Sequence, residues 1–235
     1  MVPSCELSEE EKRKRRIVVD WLIEVCLQLS LTTTCLHQGI WVFDKFIATE
    51  RAVARKTAQL AGITSLFIAS KIESRDGPSI YDFAYLTDGL CSSQDIREME
   101  RTLLQYCGFT TNSTIAEFHH LLKAANPSMI NDDTERVMKY LEDISLHCLK
   151  LRRENMPHHI ANSCMVLAGV KTNNNLTGAV FVGGITIGRN IRICHELIRM
   201  EKKLNVDKLE ATTWMNPGCV SYFRGSGDTV SALRH

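Results

Sequence analysis

Apolar residues recur at spacings of three and four along most of this chain, which is the period of an amphipathic α-helix. In the first such segment Val18, Leu22, Val25 and Leu29 form a core stripe, and Ile17 and Trp21 belong to a second apolar face. A second helix is predicted over Thr34 to Ala48, where the same spacing continues. Alternation with a period of two, which would indicate strands, is scarce, so the pattern predicts an all-α fold.

The third predicted helix, from about Arg55 to Lys71, differs from the others in composition. From Gln59 to Ser70 it has no charged residue and is rich in small side chains. A helix that is apolar all round is surrounded by other helices, and small side chains let their backbones approach closely. We therefore predict that it is the central, or hub, helix of a bundle. Asp76 to Pro78 end the pattern, and a short helix is predicted near Ile80 to Leu86.

A fifth helix is predicted to begin at Ser92 or Ser93, since a serine side chain can cap the first turn. The chain then becomes polar and rich in threonine around Phe109 to Ser113, which is typical of a junction. Helical periodicity resumes beyond it in four segments, at 113–125, 133–153, 157–171 and 190–204.

The order of elements repeats along the chain. His159 to Gly169 is again uncharged and rich in small residues, like the hub helix of the first half. Two copies of one five-helix unit, each with a central hub helix, explain this repetition. We predict one unit over residues 1–110, a second over residues 111–214, and an irregular tail over residues 215–235.

Composition limits the classes of function. A net charge of +1 provides no basic field that would hold a nucleic-acid backbone. The nine cysteines form no Cys-x-x-Cys pair, which favours free thiols in a reducing compartment. Met1 to Lys14 is polar, unlike a secretory signal, and the uncharged run from Thr57 to Ser70 is short of the roughly 20 residues that span a bilayer. We expect a soluble, intracellular protein that binds neither nucleic acid nor membrane.

Candidate catalytic and metal-binding motifs are lacking in the sequence. No glycine-rich phosphate loop and no Ser-His-Asp order is present. His158 and His159 with Cys164, and likewise His147 with Cys148, do not supply four ligands at the spacings of a structural metal site. We therefore predict no metal, no cofactor and no enzymatic activity.

Five blocks occur in a fixed order: "RRIVVDWLIEV" (Arg15 to Val25), "DKF" (Asp44 to Phe46), "QLAGITSLFIASKIES" (Gln59 to Ser74), "YDFAYLTDG" (Tyr81 to Gly89) and "IREME" (Ile96 to Glu100). Together they resemble the cyclin box and are most similar to the mitotic, A/B-type cyclins. The resemblance covers roughly residues 10 to 110, and the C-terminal half resembles the second cyclin fold more loosely. It implies a subunit without an active site that binds and activates a cyclin-dependent serine/threonine kinase in cell-cycle control.

The resemblance also implies which residues bind the kinase. In cyclins the C-helix of the kinase packs on the hub helix, where the residues matching Lys71 and Glu100 form a polar pair that bonds to the end of that C-helix. Further implied contacts are Leu66, Phe67, Glu73 and Phe109. Ser74 stands where the family has a second glutamate, which calls one contact into question.

A structural ion pair is implied by two of the blocks. Arg15 matches the arginine that opens the first-helix motif, and Asp44 matches the aspartate of the second block. In cyclins these residues form a buried ion pair within the fold. The resemblance therefore gives them a structural role.

A second implied surface is a groove on the first helix that docks substrates or inhibitors bearing an Arg-x-Leu motif. The matching positions are Ile17, Val18, Trp21, Glu24, Gln59 and Leu60. Lys14 replaces the leading methionine of the family, and its charge would oppose a basic peptide. We expect docking to be altered or weakened.

Two other interpretations remain open. A degenerate cyclin would act as a scaffold that activates no kinase, which the departures at Lys14 and Ser74 and the glycines of Gly183 to Gly188 favour. A transcription-type cyclin-fold module would bind DNA or other factors, which the near-neutral charge disfavours.

The run "KRKRR" at Lys12 to Arg16 fits a nuclear import signal or a solvated helix start. We expect the protein in both nucleus and cytoplasm.

Overall fold

A computed structural model describes residues 7–49, 55–107, 111–176 and 178–214. The regular structure of these residues is entirely helical, which confirms the prediction of an all-α fold. The chain divides into two compact units, one built on Met1–Thr111 and the other on Asn112–Asn205. Phe109 and the predicted tail over 215–235 lie outside the described residues.

The described part of the first unit contains five helices: α1 (Glu9–Gln28), α2 (Thr33–Thr49), α3 (Arg55–Glu73), α4 (Ile80–Tyr85) and α5 (Ser93–Cys107). Helix α1 begins at a capping box, in which the Glu11 amide donates to the Ser8 hydroxyl at 3.2 Å and the Ser8 amide donates to the Glu11 carboxylate at 2.7 Å. A second capping box, formed by Ser79 and Asp82, starts α4. Local polar pairs thus fix where these helices begin.

Helix α3 is the hub of the first unit, as the sequence predicted. It contacts α1, α2, α4 and α5, and every residue from 61 to 70 is buried. Two of its buried hydroxyls are satisfied within the helix, since that of Ser65 donates to the carbonyl of Ala61 at 2.7 Å and that of Ser70 donates to the carbonyl of Phe67 at 2.8 Å. The buried Thr64 hydroxyl has no hydrogen-bond partner among the described residues. The core of this unit is therefore built around one helix.

Gly39 is the point of closest approach between α2 and α3. A Cβ atom added there would lie 3.0 Å from the Cα of Leu66 and 3.2 Å from its Cδ1. Because the first of these atoms is backbone, the two helices would have to separate. We expect Gly39→Ala to lower the free energy of unfolding by about 1–3 kcal/mol, measured by urea denaturation.

Gly188 provides the control for this substitution. It lies in the first turn of α10, and an added Cβ there meets nothing within 4 Å. Gly188→Ala should leave stability unchanged or raise it slightly, because alanine favours a helix. Equal effects of the two substitutions would contradict the close packing of α2 on α3.

The described part of the second unit carries α6 (Ile115–Ala125), α7 (Asp132–His147), α8 (Leu149–Glu154), α9 (Pro157–Lys171) and the residues up to Asn205 of α10 (Ile187–Trp214). Helix α9 packs against α6 and α7, and its apolar residues lie in one core with those of α6, α7, α8 and α10. This matches the second hub helix that was predicted from the small, uncharged residues.

One predicted helix of the second unit is interrupted. The segment over 133–153 is two helices, because Cys148 leaves helical geometry with φ −98° and ψ 87°. Periodicity did not reveal this break, since Ile144, Cys148 and Leu151 are all buried at spacings of four and three across it. The apolar spacing of a continuous helix is therefore kept although the backbone turns.

Two buried asparagines hold the segment between α9 and α10. The Asn126 side chain donates to the carbonyl of Val180 at 2.9 Å and accepts from its amide at 2.7 Å. Asn162 pairs in the same way with Val182, at 2.8 Å and 3.2 Å. The irregular backbone is thus satisfied by side chains instead of by regular structure.

A buried polar cluster links α6 to α7. The His119 Nδ1 lies 2.7 Å from the Glu142 carboxylate, and both side chains are almost fully buried. Burial raises the pKa of Glu142, and the hydrogen bond to His119 opposes this change.

Glu135 lies nearby and bonds to Lys123 and, at 2.9 Å, to Lys139. These hydrogen bonds from the lysines lower the pKa of Glu135 to about 2.

The lowered pKa of Glu135 makes its contribution to stability depend on pH. The ionised carboxylate stabilises the fold above its ordinary pKa of 4.5, and this contribution is lost as pH falls towards 2. We expect Glu135→Gln to cost about 1 kcal/mol at neutral pH, since the two lysines are about half exposed. In urea titrations the difference from wild type should stay nearly constant from neutral pH down to about 4.5 and should then shrink as the pH falls towards the folded-state pKa of about 2. Glu154→Gln, in an exposed pair with Lys150, should have no effect at any pH.

Candidate functional site

An open groove of about 350 Å³ lies beside the C-terminal end of α3 in the first unit. Its walls come from the end of α3, the loop that leads to α4, and α5. The lining residues that matter below are Phe67, Lys71, Ser74, Arg75, Arg97 and Glu100. We call this feature the α3–α5 groove.

Lys71 and Glu100 form an ion pair across the groove, from α3 to α5. The Lys71 side chain is 47% exposed and that of Glu100 is 18% exposed, so both remain accessible. The Lys71 ammonium also lies 4.5 Å from the centroid of the Phe67 ring, a cation–π contact. The structure therefore brings together Lys71 and Glu100, the two residues that the resemblance to cyclins implied to be a pair. Each of them still has atoms that can bond to a partner.

Phe67 and Leu66, both implied contacts for the kinase, differ in accessibility. Phe67 lines the groove and is 8% exposed, with its ring packed edge-on against Phe83 at 5.3 Å between centroids. Leu66 is fully buried and faces Gly39 of α2. The expectation that Leu66 forms part of a contact floor is corrected on this point, because in this structure it offers no surface to a partner.

Glu73 is exposed near the end of α3 but is held by the fold. The Thr32 hydroxyl donates to its carboxylate at 2.5 Å and accepts from the Cys35 amide at 3.1 Å, at the start of α2. Sequence reasoning missed Thr32, although a run of three threonines before a helix is a signal for a cap. Ser74 is exposed and lines the groove, and its amide donates to the carbonyl of Ser70 at 2.9 Å.

Large apolar side chains are exposed close to the groove. Ile72 follows Lys71 on α3, and Tyr81 and Tyr85 lie one turn apart on α4, directly after the groove-lining Ile80. At the start of α4, hydrogen bonds from the Ser79 hydroxyl and amide lower the pKa of Asp82, which keeps the cap ionised. Exposed apolar side chains on the helices that carry the groove are typical of surfaces that bind other proteins.

The six positions of the implied docking groove do not form an open surface. Ile17, Val18, Trp21 and Gln59 are buried, whereas Glu24 and Leu60 are partly exposed. Lys14, at the expected rim, is partly exposed and pairs with Glu10 at 2.6 Å. Truncating Trp21 would therefore disturb the core as well as any docking, and the docking of Arg-x-Leu motifs stays a prediction.

Arg15 and Asp44 form the ion pair that the resemblance implies. The Arg15 guanidinium donates through Nε to Oδ1 of Asp44 at 2.6 Å and through Nη2 to Oδ2 at 3.0 Å. Their side chains are 2% and 12% exposed, so the pair joins α1 to α2 inside the unit. This two-bond geometry fixes both side chains, and their role is structural.

Over the described ranges, no group of three or more His, Cys, Asp or Glu side chains is arranged to hold a metal ion. Within the same part of the chain, no helix is both long and apolar enough to cross a membrane.

Residues 2–112 match the family model described as cyclin, N-terminal domain. The chain is similar to the G2/mitotic-specific cyclin-B2 of Rana japonica, with 32% identity over 68% of this chain and 40% of that protein. It is also similar to the human G2/mitotic-specific cyclin-B2, with 35% identity over 57% of this chain and 33% of that protein. The chain spans less than half the length of these relatives. The matches confirm the resemblance to cyclins and to their mitotic, B-type members.

Two solved structures share the fold. A viral cyclin from herpesvirus saimiri aligns with a TM-score of 0.69 and 14% identity, over 83% of this chain and 86% of that one. A chain of the CAK complex of Chaetomium thermophilum, bound to ATP-γ-S, aligns with a TM-score of 0.55 and 14% identity, over 99% of this chain and 73% of that one. At such identity the likeness concerns the fold, which agrees with the predicted cyclin boxes.

Proposed function

We propose that this chain, whose residues 2–112 match the cyclin N-terminal domain, is a regulatory subunit that binds and activates a cyclin-dependent serine/threonine kinase in cell-cycle control. The similarity to B-type relatives supports a mitotic role. Catalysis belongs to the kinase in this proposal, and the chain supplies only a binding surface. The proposed location, where such a kinase acts, is the nucleus and the cytoplasm.

The observation that carries the proposal is the Lys71–Glu100 pair in an open groove at the end of the hub helix. The end of a helix has backbone groups without intrahelical partners, which an accessible cation and carboxylate can satisfy. The exposed Ile72, Tyr81 and Tyr85 supply apolar area around these anchors. One or two polar anchors within an apolar surface is the usual composition of a specific protein interface.

Binding of the kinase at the α3–α5 groove would activate it by favouring one of its existing conformations. A kinase is active only when a lysine–glutamate pair is formed and the activation loop is displaced, and it exchanges between states that have or lack these features. A partner that binds the active position of the C-helix more tightly shifts the population towards the active state. The α3–α5 groove would provide that differential affinity.

A second candidate function is a scaffold that binds a kinase without activating it. Two observations favour it: Glu73 is held by Thr32 instead of being free for a partner, and Ser74 supplies no carboxylate. A scaffold would form the complex and leave the kinase inactive. A transcription-type module is a weaker candidate, because the net charge of +1 gives no general attraction to nucleic acid.

Isothermal titration of the protein into a panel of purified cyclin-dependent kinases tests the proposed binding. We expect a one-to-one complex with at least one kinase. Peptide phosphorylation by that complex then separates an activator from a scaffold. Failure to form a complex with any kinase of the panel would reject both functions.

A further inference from the structure

The α3–α5 groove is lined by more positive than negative side chains. Lys71, Arg75 and Arg97 line it, and Glu100 is its single lining carboxylate among the described residues. Glu100 is already paired with Lys71. Ser74, beside Arg75, is neutral. Among the described residues that line the groove, Arg75 and Arg97 therefore have no carboxylate of their own.

Arg75 and Arg97 are both exposed, and neither has an ion-pair or hydrogen-bond partner among the described residues. Arg75 lies in the loop after α3, and Arg97 lies in the second turn of α5. A guanidinium has five donors in a planar fork that suits a carboxylate. The two side chains are thus available to acceptors on a partner that enters the groove.

The neighbouring carboxylates bond to other side chains and not to these arginines. The Glu73 carboxylate accepts from Thr32, and that of Asp82 accepts from Ser79. On α5 the Glu98 carboxylate accepts from Gln94 at 2.9 Å, and that of Asp95 accepts from Ser92 at 2.8 Å. Asp76 follows Arg75 in the chain but is not among the residues that line the groove. These carboxylates keep their negative charge, but no ion pair joins any of them to Arg75 or Arg97, and none of them lines the groove.

We propose that the α3–α5 groove selects its kinase by charge, with acidic side chains of the kinase segment seated in the groove facing Arg75 and Arg97. This inference rests on the proposed function and adds which kinases are favoured. The Lys71–Glu100 pair and the exposed apolar side chains of α3 and α4 provide the general affinity. The two arginines discriminate between kinases, because an acidic segment is attracted and a basic one is repelled.

The test compares wild type with three variants by stopped-flow binding to each kinase of the panel. Arg75→Glu/Arg97→Glu should slow association with the preferred kinase by about tenfold or more at low ionic strength. The difference should shrink in high salt, where exposed charges are screened. Arg75→Gln/Arg97→Gln should lie between wild type and the reversed form. Arg153→Glu, which reverses an exposed charge on α8 of the other unit, is the matched control and should bind like wild type.

The outcomes separate this inference from the proposed function. A kinase that binds wild type and the reversed form equally well would overturn the charge selection and leave the proposed function intact. Unchanged kinase binding together with weaker binding of heparin by the reversed form would assign the arginines to a polyanion and would also overturn it. Absence of binding by any kinase to wild type would reject the proposed function and this inference with it. A switch of preference towards kinases with a basic segment, seen only in the reversed form, would establish the selection.

Discussion

Replacing Lys71 and Glu100 together by alanine is expected to weaken kinase binding by at least about 2 kcal/mol, roughly 30-fold. The two side chains meet across the α3–α5 groove and are still 47% and 18% exposed, so they can bond to backbone at the end of a partner helix. Their removal leaves the partner's groups buried without acceptors or donors, and this desolvation cost is the source of the loss. Isothermal titration with the kinase that binds wild type measures it.

The fold should survive this double substitution. Both residues lie at the surface of the first unit, and exposed ion pairs contribute about 1 kcal/mol or less to stability. Lys150 and Glu154 form a comparable pair, 3.9 Å apart and exposed on α8, so Lys150→Ala/Glu154→Ala is the control. Equal affinities for the kinase in both double variants would remove the assigned interface, whatever the protein binds elsewhere.

Arg15→Ala is expected to have the largest effect on stability, about 3–5 kcal/mol less free energy of unfolding. The guanidinium makes two hydrogen bonds to Asp44, at 2.6 Å and 3.0 Å, and both side chains are nearly buried. Removing the arginine strands the aspartate in a site with little access to water. Urea denaturation followed by circular dichroism measures the change.

Two comparisons make this prediction specific to the stranded charge. Lys14→Ala, one residue earlier in α1, breaks only the exposed pair with Glu10 and should cost about 1 kcal/mol or less. Arg15→Ala/Asp44→Ala should be more stable than Arg15→Ala alone, because the second substitution removes the uncompensated charge. A double variant less stable than the single one would show that packing of the two side chains, and not the charge, dominates.

The elements that could be predicted from the sequence are those whose local pattern matches their environment. The run from Gln59 to Ser70 has no charge on any side, and burial on all sides is the only environment that suits it. The second uncharged run, His159 to Gly169, identified α9 in the same way. In both cases composition alone determined the position in the bundle.

The break at Cys148 and the irregular segment before α10 could not be predicted, for a physical reason. Periodicity reports which side chains are buried, and burial continues at helical spacing across Cys148. The segment before α10 is held by Asn126 and Asn162, whose hydrogen bonds reach across 54 and 20 residues. Contacts over such separations have no signature in local sequence.

The sequence predicted the two residues that anchor the candidate site. It did not predict the charged residues around them or the shape of the groove. Lys71 and Glu100 were found through the resemblance, and the structure places them together. Arg75 and Arg97 carried no signal, because an arginine in a loop or on an amphipathic helix is ordinary in sequence and becomes distinctive only beside a shared groove. Leu66 was misplaced because a residue of a wholly buried helix can face either the core or a partner, and spacing does not decide between them.

The most direct test of the central claim is the rate at which a purified cyclin-dependent kinase phosphorylates a histone-type peptide, with and without stoichiometric protein. The kinase is the one that binds wild type, and the comparison is with Lys71→Ala/Glu100→Ala. We expect strong stimulation by wild type that is largely lost in the double variant at the same concentration. Equal stimulation by both forms, or a stable complex with wild type that leaves the rate unchanged, would contradict it.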